Sequence, residues 1–204
     1  MIILFITLAM VLCLICVLAI NTAVATKKAR KLKEFKPFYN DKEIEYYATR
    51  LSKMIQCKTV SVKDSYDDTE FALLRYVMTE LFPTVHKVAE KMTFSDDCSI
   101  YKIKGADENR NIMLMSHHDV VDVSGEWEHE GFSGEIADGK IWGRGTVDTK
   151  TPLFAEFSAL EELLNEGYEP PCNIWIGSSH NEELGGDGIP TALRYFQENN
   201  ITFE

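Results

Sequence analysis

Three short polar segments could do chemistry: Ser116-His117-His118-Asp119, Gly143-Arg144-Gly145-Thr146-Val147-Asp148 and Asn181-Glu182-Glu183. An imidazole together with several carboxylates suits Zn2+, which takes nitrogen and oxygen donors in a small, nearly tetrahedral shell. One carboxylate can bridge two such ions, and metals ~3.5–4 Å apart can activate a shared water and polarise a carbonyl. Blander roles compete at each position. Most acidic pairs are solvated turns, and Asp148 could simply cap a helix, which is compatible with binding a metal. His180 lies beside the glutamates and is left unassigned, while His86 and His129 read as surface or local hydrogen-bonding residues.

Side chains of this kind must be held by elements that end near one another. Asn111 to Met115 is a compact apolar run leading straight into His117, and reads as a buried central strand. Asn173 to Ser178 is a second apolar strand, just ahead of the glutamates. In open α/β sheets ligands gather beyond the carboxyl ends of strands, where both clusters fall. Asp148 sits in a Gly-rich turn, with a helix over Thr149 to Glu166 behind it whose buried stripe is Leu153, Phe157, Leu160 and Leu164. Further helices are expected from Asn40 or Asp41 to about Gln56, with Ile44, Tyr47, Leu51 and Ile55 on one face, from Thr69 to Leu81, and from Gly188 to Asn199. Val85 to Phe94 and Ser99 to Lys104 read as strands, Asp107 to Arg110 as a polar turn, and Asp138-Gly139 as the turn of a hairpin within Ile136 to Trp142. Strands alternating with helices imply an α/β class with a largely parallel central sheet flanked by helices.

Length and charge narrow the choice of function. Beyond its apolar start the chain keeps roughly 175 residues, enough for one domain with a sizeable core. A net charge of −11 and a pI near 5.0 argue against a nucleic-acid partner, which would need clustered Lys and Arg. Residues 1–26 hold no charged side chain and have the length of a single-pass transmembrane helix, with a cleavable signal segment as the competing reading because Ala23-Val24-Ala25 fits a cleavage pattern. Residues 27–40 read as a basic juxtamembrane linker carrying Lys27, Lys28, Arg30, Lys31 and Lys33. By the charge rule this cluster leaves the C-terminal domain on the cytoplasmic side, or exported if the N-terminus acts as a signal. Cys57, Cys98 and Cys172 are too few and too far apart for a disulfide framework or a Cys-based zinc site, and Cys13 and Cys16 read as packing inside the apolar run.

The motifs taken together resemble the two-zinc hydrolase family of acetylornithine deacetylase, succinyl-diaminopimelate desuccinylase, aminoacylase, glutamate carboxypeptidase and carboxypeptidase S, and look closest to the carboxypeptidase S-like branch. The resemblance runs from about Lys36 onward and rests on Ser-His-His-Asp-Val-Val, Trp127 with Gly-Phe-Ser-Gly at 131–134, Gly-Arg-Gly-Thr-Val-Asp-Thr-Lys at 143–150, and Asn-Glu-Glu-Leu-Gly-Gly at 181–186. It implies that His117 ligates one zinc, Glu183 the other, and that Asp148 bridges them. It also implies that Asp119 orients His117 by accepting its other ring N–H, and that Glu182 is the general base. Only the first His of the pair matches a ligand position, so His118 reads as a supporting residue. Gly143 and Gly145 would let the backbone turn tightly, and Arg144 would brace the loop.

The resemblance implies two Zn2+ ions, with Co2+ as an acceptable substitute, and a small peptide or N-acyl amino acid as substrate. Residues 41–204 would be the N-terminal part of the catalytic domain, a partial zinc-peptidase-like fold, with a third ligand for each zinc, and the lid on which a homodimer would depend, lying beyond the position of Glu204. The 204-residue chain alone is then expected to bind zinc weakly and hydrolyse little. Two hypotheses compete: a zinc-dependent hydrolase of a peptide or N-acyl amino acid amide bond, or a non-catalytic, truncated or degenerate membrane-anchored relative. Asn181 stands where many relatives carry Asp, and Asp122 where they carry Pro, which points to tuning and to a less rigid loop after Asp119.

Overall fold

The computed structural model describes residues 2–29 and 39–204. The chain divides into two units, residues 1–40 and 41–204. In the first, Ile2–Ala29 form one helix, α1, and its stretch Phe5–Thr26 is long and apolar enough to cross a membrane. The hydroxyls of Thr22 and Thr26 donate to carbonyls one turn back at 2.8 Å, which satisfies these polar groups within the helix. The side chains of Lys27 and Lys28, and residues 30–38 with Arg30, Lys31, Lys33 and most of the expected linker, lie outside the described residues.

The second unit opens with α2 (Asp41–Ile55), which buries Leu51, Met54 and Ile55. Ile44, expected on the same face, is exposed together with the rest of residues 41–46. Next comes α3 (Asp68–Leu81), capped by Asp67, whose carboxylate accepts the Thr69 N–H at 3.0 Å. Val85 to Phe94 is not one strand as expected. Pro83 opens a short helix, α4 (Pro83–Val88), and the strand β1 begins only at Glu90, ending at Phe94. What stabilises α4 comes from far along the chain: the Glu161 carboxylate accepts the N–H groups of Thr84 and Val85 at 3.0 and 2.9 Å. Glu161→Ala is expected to cost about 1–2 kcal/mol in denaturant unfolding by orphaning those donors, and an unchanged midpoint would refute this role.

The remaining elements are β2 (Cys98–Ile103), β3 (Asp107–His117), the hairpin β4 (Glu135–Ala137) and β5 (Lys140–Trp142), α5 (Lys150–Asn165), β6 (Cys172–Ser179), a 3-10 turn over Glu182–Leu184, and α6 (Gly188–Glu198). Asp138 and Gly139 turn the hairpin with positive φ at both positions, as the dipeptide implied. The expected polar turn at Asp107 to Arg110 is instead the start of β3, with a register shift between Asp107 and Asn111.

The main sheet has the order β1-β2-β6-β3. Only β6 and β3 run parallel, whereas β1 with β2 and β2 with β6 are antiparallel, so the expectation of a largely parallel sheet is corrected to a mixed one. The cause is local: β1 and β2 are joined by a short reversal at Ser95 to Asp97, which can only give antiparallel neighbours. Nor is β3 central. Among the described residues it lies at the sheet edge, with Met115 exposed, and the fully buried interior strand is β6. The run in β3 is apolar because residues on each of its faces pack against a core cluster. Ile112 and Leu114 pack on the cluster built by α2, α3, α4 and α5, while Met113 packs with Trp175, Ala192 and Phe196 on the α6 side. Apolar residues at consecutive positions therefore report a strand covered on two faces, whatever its place in the sheet.

Candidate metal centre

Parallel pairing of β3 with β6 brings His117 opposite Ser179, and the His118 N–H continues the ladder to the Ser179 carbonyl at 2.8 Å. The segments carrying the histidines and the glutamates thus leave the sheet at the same end. Asp119, fully buried, holds them together. Its two carboxylate oxygens accept the backbone N–H groups of Glu182 and Glu183, each at 3.1 Å. Its backbone carbonyl lies 3.0 Å from His117 Nδ1, with carboxylate Oδ1 at 3.3 Å. Burial pushes the Asp119 carboxyl up, but the interactions with His117 and the two backbone N–H groups outweigh it and hold the group below the usual carboxylate range.

With Nδ1 engaged, the other ring nitrogen of His117 faces the carboxylates. His117 Nε2 lies 2.9 Å from Asp148 Oδ1 and 3.6 Å from Glu182 Oε2. One donor atom each from His117, Asp148 and Glu183 fall within 4.8 Å of one another, and this is the one such group found among the described residues. The electrostatics favour positive charge at this point. Burial lowers the His117 pKa, yet the neighbouring Asp119 and Asp148 bring it up to about 9. Burial and the Asp148 charge push Glu183 up. A nitrogen and carboxylate oxygens converging in this way are the donor set that zinc takes.

The turn that presents Asp148 depends on glycine at two positions. Gly143 and Gly145 both have positive φ, and a Cβ would lie 2.4 Å from Ile55 Cγ2 at the first and 2.7 Å from Val120 Cγ1 at the second. Arg144 braces the loop, its guanidinium over the Trp127 ring at 5.1 Å and its Nη2 donating to the Asp122 carbonyl at 3.4 Å. A cis peptide bond joins Asp148 to Thr149. Lys150 is buried, and its ammonium donates to the Met54 and Cys57 carbonyls at the end of α2.

The other histidines stand apart from the cluster. His118 is buried, with Nδ1 2.7 Å from Ser178 Oγ and Nε2 3.5 Å from Asp97, a carboxylate that also pairs with Arg75. His180 is buried against Tyr66 and Phe71. His86 contacts the Phe82 carbonyl and His129 contacts Glu135, each at 2.9 Å. Cys57, Cys98 and Cys172 are free and buried. Asn181 ties down the loop behind the glutamates, donating from Nδ2 to Asp187 at 3.2 Å and accepting the Gly188 N–H at 3.4 Å. An aspartate there would face the Asp187 carboxylate without that donor, so Asn181 and Asp187 form a matched pair. Asp122 accepts the Val123 N–H at 2.8 Å, a local restraint on the loop after Asp119.

Thr149 and Lys150 flank Asp148, and Asp97 pairs with His118, in contacts to which the sequence reading gave no role. A signal existed for Lys150, which precedes Leu153 and Phe157 by three and seven residues and so shares their buried face. Asp97 offered none, because its partners are distant in the chain.

Residues 113–203 match the family described as Peptidase family M20/M25/M40. The chain is 36% identical over 197 residues to the probable carboxypeptidase S-like 2 of Dictyostelium discoideum, covering 90% of this chain and 38% of that protein. It is 32% identical over 182 residues to the N-fatty-acyl-amino acid synthase/hydrolase PM20D1 of Xenopus tropicalis, covering 85% and 35%. In three dimensions it resembles human carnosine dipeptidase 1, with a TM-score of 0.64 at 17% identity over 78% of this chain and 36% of that one, a likeness of fold. The chain thus spans 35–38% of the length of these two curated relatives.

Proposed function

Starting from residues 113–203 as a segment of the peptidase family M20/M25/M40 domain, we propose that this chain carries the zinc site and general base of a hydrolase acting on the amide bond of a peptide or an N-acyl amino acid. The observation that carries the reading is the convergence of His117, Asp148 and Glu183 within 4.8 Å, with Glu182 alongside.

His117 would offer Nε2 to a metal, its ring held from behind by Asp119. Asp148 is exposed and has two carboxylate oxygens, which suits a ligand shared between two ions, and Glu183 would serve the second. Bound zinc supplies Lewis acidity toward an amide carbonyl and an attacking water. Glu182 has the freedom and position of a base: its side chain is 58% exposed, so substrate and water can reach it, while its backbone is anchored to Asp119. It would accept a proton at a carboxylate oxygen from the attacking water and return it to the departing amine nitrogen. The substrate class is supported by the relatives, whose names specify a carboxypeptidase and a hydrolase of N-fatty-acyl amino acids. Hydrolysis is proposed for the protein at the relatives' full length.

The 22-residue stretch Phe5–Thr26 in α1, uncharged and mostly apolar, supports a membrane anchor, since about 33 Å of helix matches a hydrocarbon core of about 30 Å.

Calorimetric titration of the chain with Zn2+ tests the metal reading. Weak binding is expected, and His117→Ala, Asp148→Ala and Glu183→Ala should each weaken it further by at least about tenfold, because each removes one of only a few ligands. Wild-type affinity in all three variants would sink the assignment.

A further inference from the structure

We propose that the Thr149 hydroxyl is a positioning group that sets His117 against Asp148, so that the two can share a metal. Thr149 stands at the N-cap position of α5, where a threonine ordinarily bonds a backbone N–H of the first helical turn. It makes no such bond. Its Oγ1 instead accepts the His117 N–H at 3.0 Å and donates to the His117 carbonyl at 2.8 Å. Both groups belong to the last residue of β3, at the sheet edge among the described residues. The N–H and C=O of one strand residue point to the same side, so Thr149 takes the place a neighbouring strand would fill, by way of a single side chain.

The consequence is geometric. Asp148 immediately precedes Thr149, so pinning Thr149 to the His117 backbone brings the Asp148 carboxylate to the His117 ring, where Oδ1 and Nε2 are 2.9 Å apart. On the other side, Lys150 is anchored through its ammonium to the end of α2. The turn carrying Asp148 is therefore held on both flanks, and the flank that controls its distance from His117 is Thr149. A helix cap given up in favour of a bond to a site residue is what separates this role from ordinary stabilisation of α5.

The inference rests on the reading that His117 and Asp148 bind one metal, and the test separates the two. Thr149→Val keeps the shape and removes the hydroxyl, and Thr149→Ser keeps the hydroxyl. Zinc affinity of the chain is expected to fall by about 10–100-fold in the valine variant and to stay near wild type in the serine variant, the range typical for groups that orient metal ligands. The melting temperature of the zinc-free protein should move by only a few degrees in either. In zinc-free protein, hydrogen exchange at the His117 amide should accelerate in the valine variant alone. If wild type binds no zinc, the metal reading fails, and the exchange measurement still decides whether the hydroxyl holds His117. Unchanged exchange, wild-type zinc affinity in the valine variant, or equal losses in valine and serine variants would overturn the proposal.

Discussion

Glu182→Gln is expected to abolish most turnover while leaving the metal in place. Glutamine keeps the size and shape of the side chain but cannot accept a proton, so the loss should be about 10²–10⁴-fold in kcat, the contribution of a positioned acid-base group. Metal binding should survive because Glu182 is not among the converging donors His117, Asp148 and Glu183. Folding should survive too, since the side chain is largely exposed and the Glu182 backbone contact with Asp119 is untouched. The measurement is steady-state hydrolysis of a panel of dipeptides and N-acyl amino acids by the protein at its relatives' length, alongside zinc titration of wild type and variant. Turnover within about threefold of wild type would remove Glu182 as the base. Loss of zinc with turnover would make it a ligand instead.

Asp119→Ala should have the largest effect on stability and should also eliminate zinc binding. The carboxylate is fully buried and accepts two backbone N–H groups from the glutamate turn, so alanine would strand both donors and leave His117 Nδ1 with only a backbone carbonyl. Leaving such groups uncompensated costs about 3–5 kcal/mol in total. Chemical denaturation would read the loss, and a change below about 1 kcal/mol would show that the clasp is not what orders the turn. Asp119 also predicts an acid limb. Its carboxyl titrates lower in the folded protein than in the unfolded chain, so the stability it lends is complete above the unfolded value of about 3.9 and is lost as pH falls through the lower folded value. Asp97, held low by His118 and Arg75 against the opposing effect of burial, adds to the same limb. Asp119→Asn should flatten the limb, and an unaltered acid midpoint would contradict the assignment.

The elements nearest the candidate site were the most legible. The stripe Leu153, Phe157 and Leu160 located α5, the apolar run before His117 located β3, and Asp138-Gly139 located the hairpin, because each rests on periodicity or turn chemistry within a few residues. Expectations failed where a distant partner decided the outcome. Val85 to Val88 are helical because Pro83 starts a turn whose open N–H groups are taken up by Glu161, more than seventy residues away. The apolar run in β3 indicated burial on both faces and was silent on sheet order, which is set by which strands pair.

The sequence by itself determined the kinds of donor available, their place beyond strand ends, and the glycines that permit the Asp148 turn, since residue type and local spacing suffice for these. Only the tertiary structure decided that β6 and β3 are parallel neighbours and that Asp119 clasps the glutamate backbone. The diversion of Thr149 from its helix to His117 and the burial of the Lys150 ammonium against the end of α2 belong to the same class. Each is a contact between segments far apart in the chain, and a hydrogen bond of that kind leaves no periodic trace in either partner. The three polar segments could therefore be recognised as candidate ligands from residue type alone, whereas the approach of His117, Asp148 and Glu183 to within 4.8 Å depends on the packed fold.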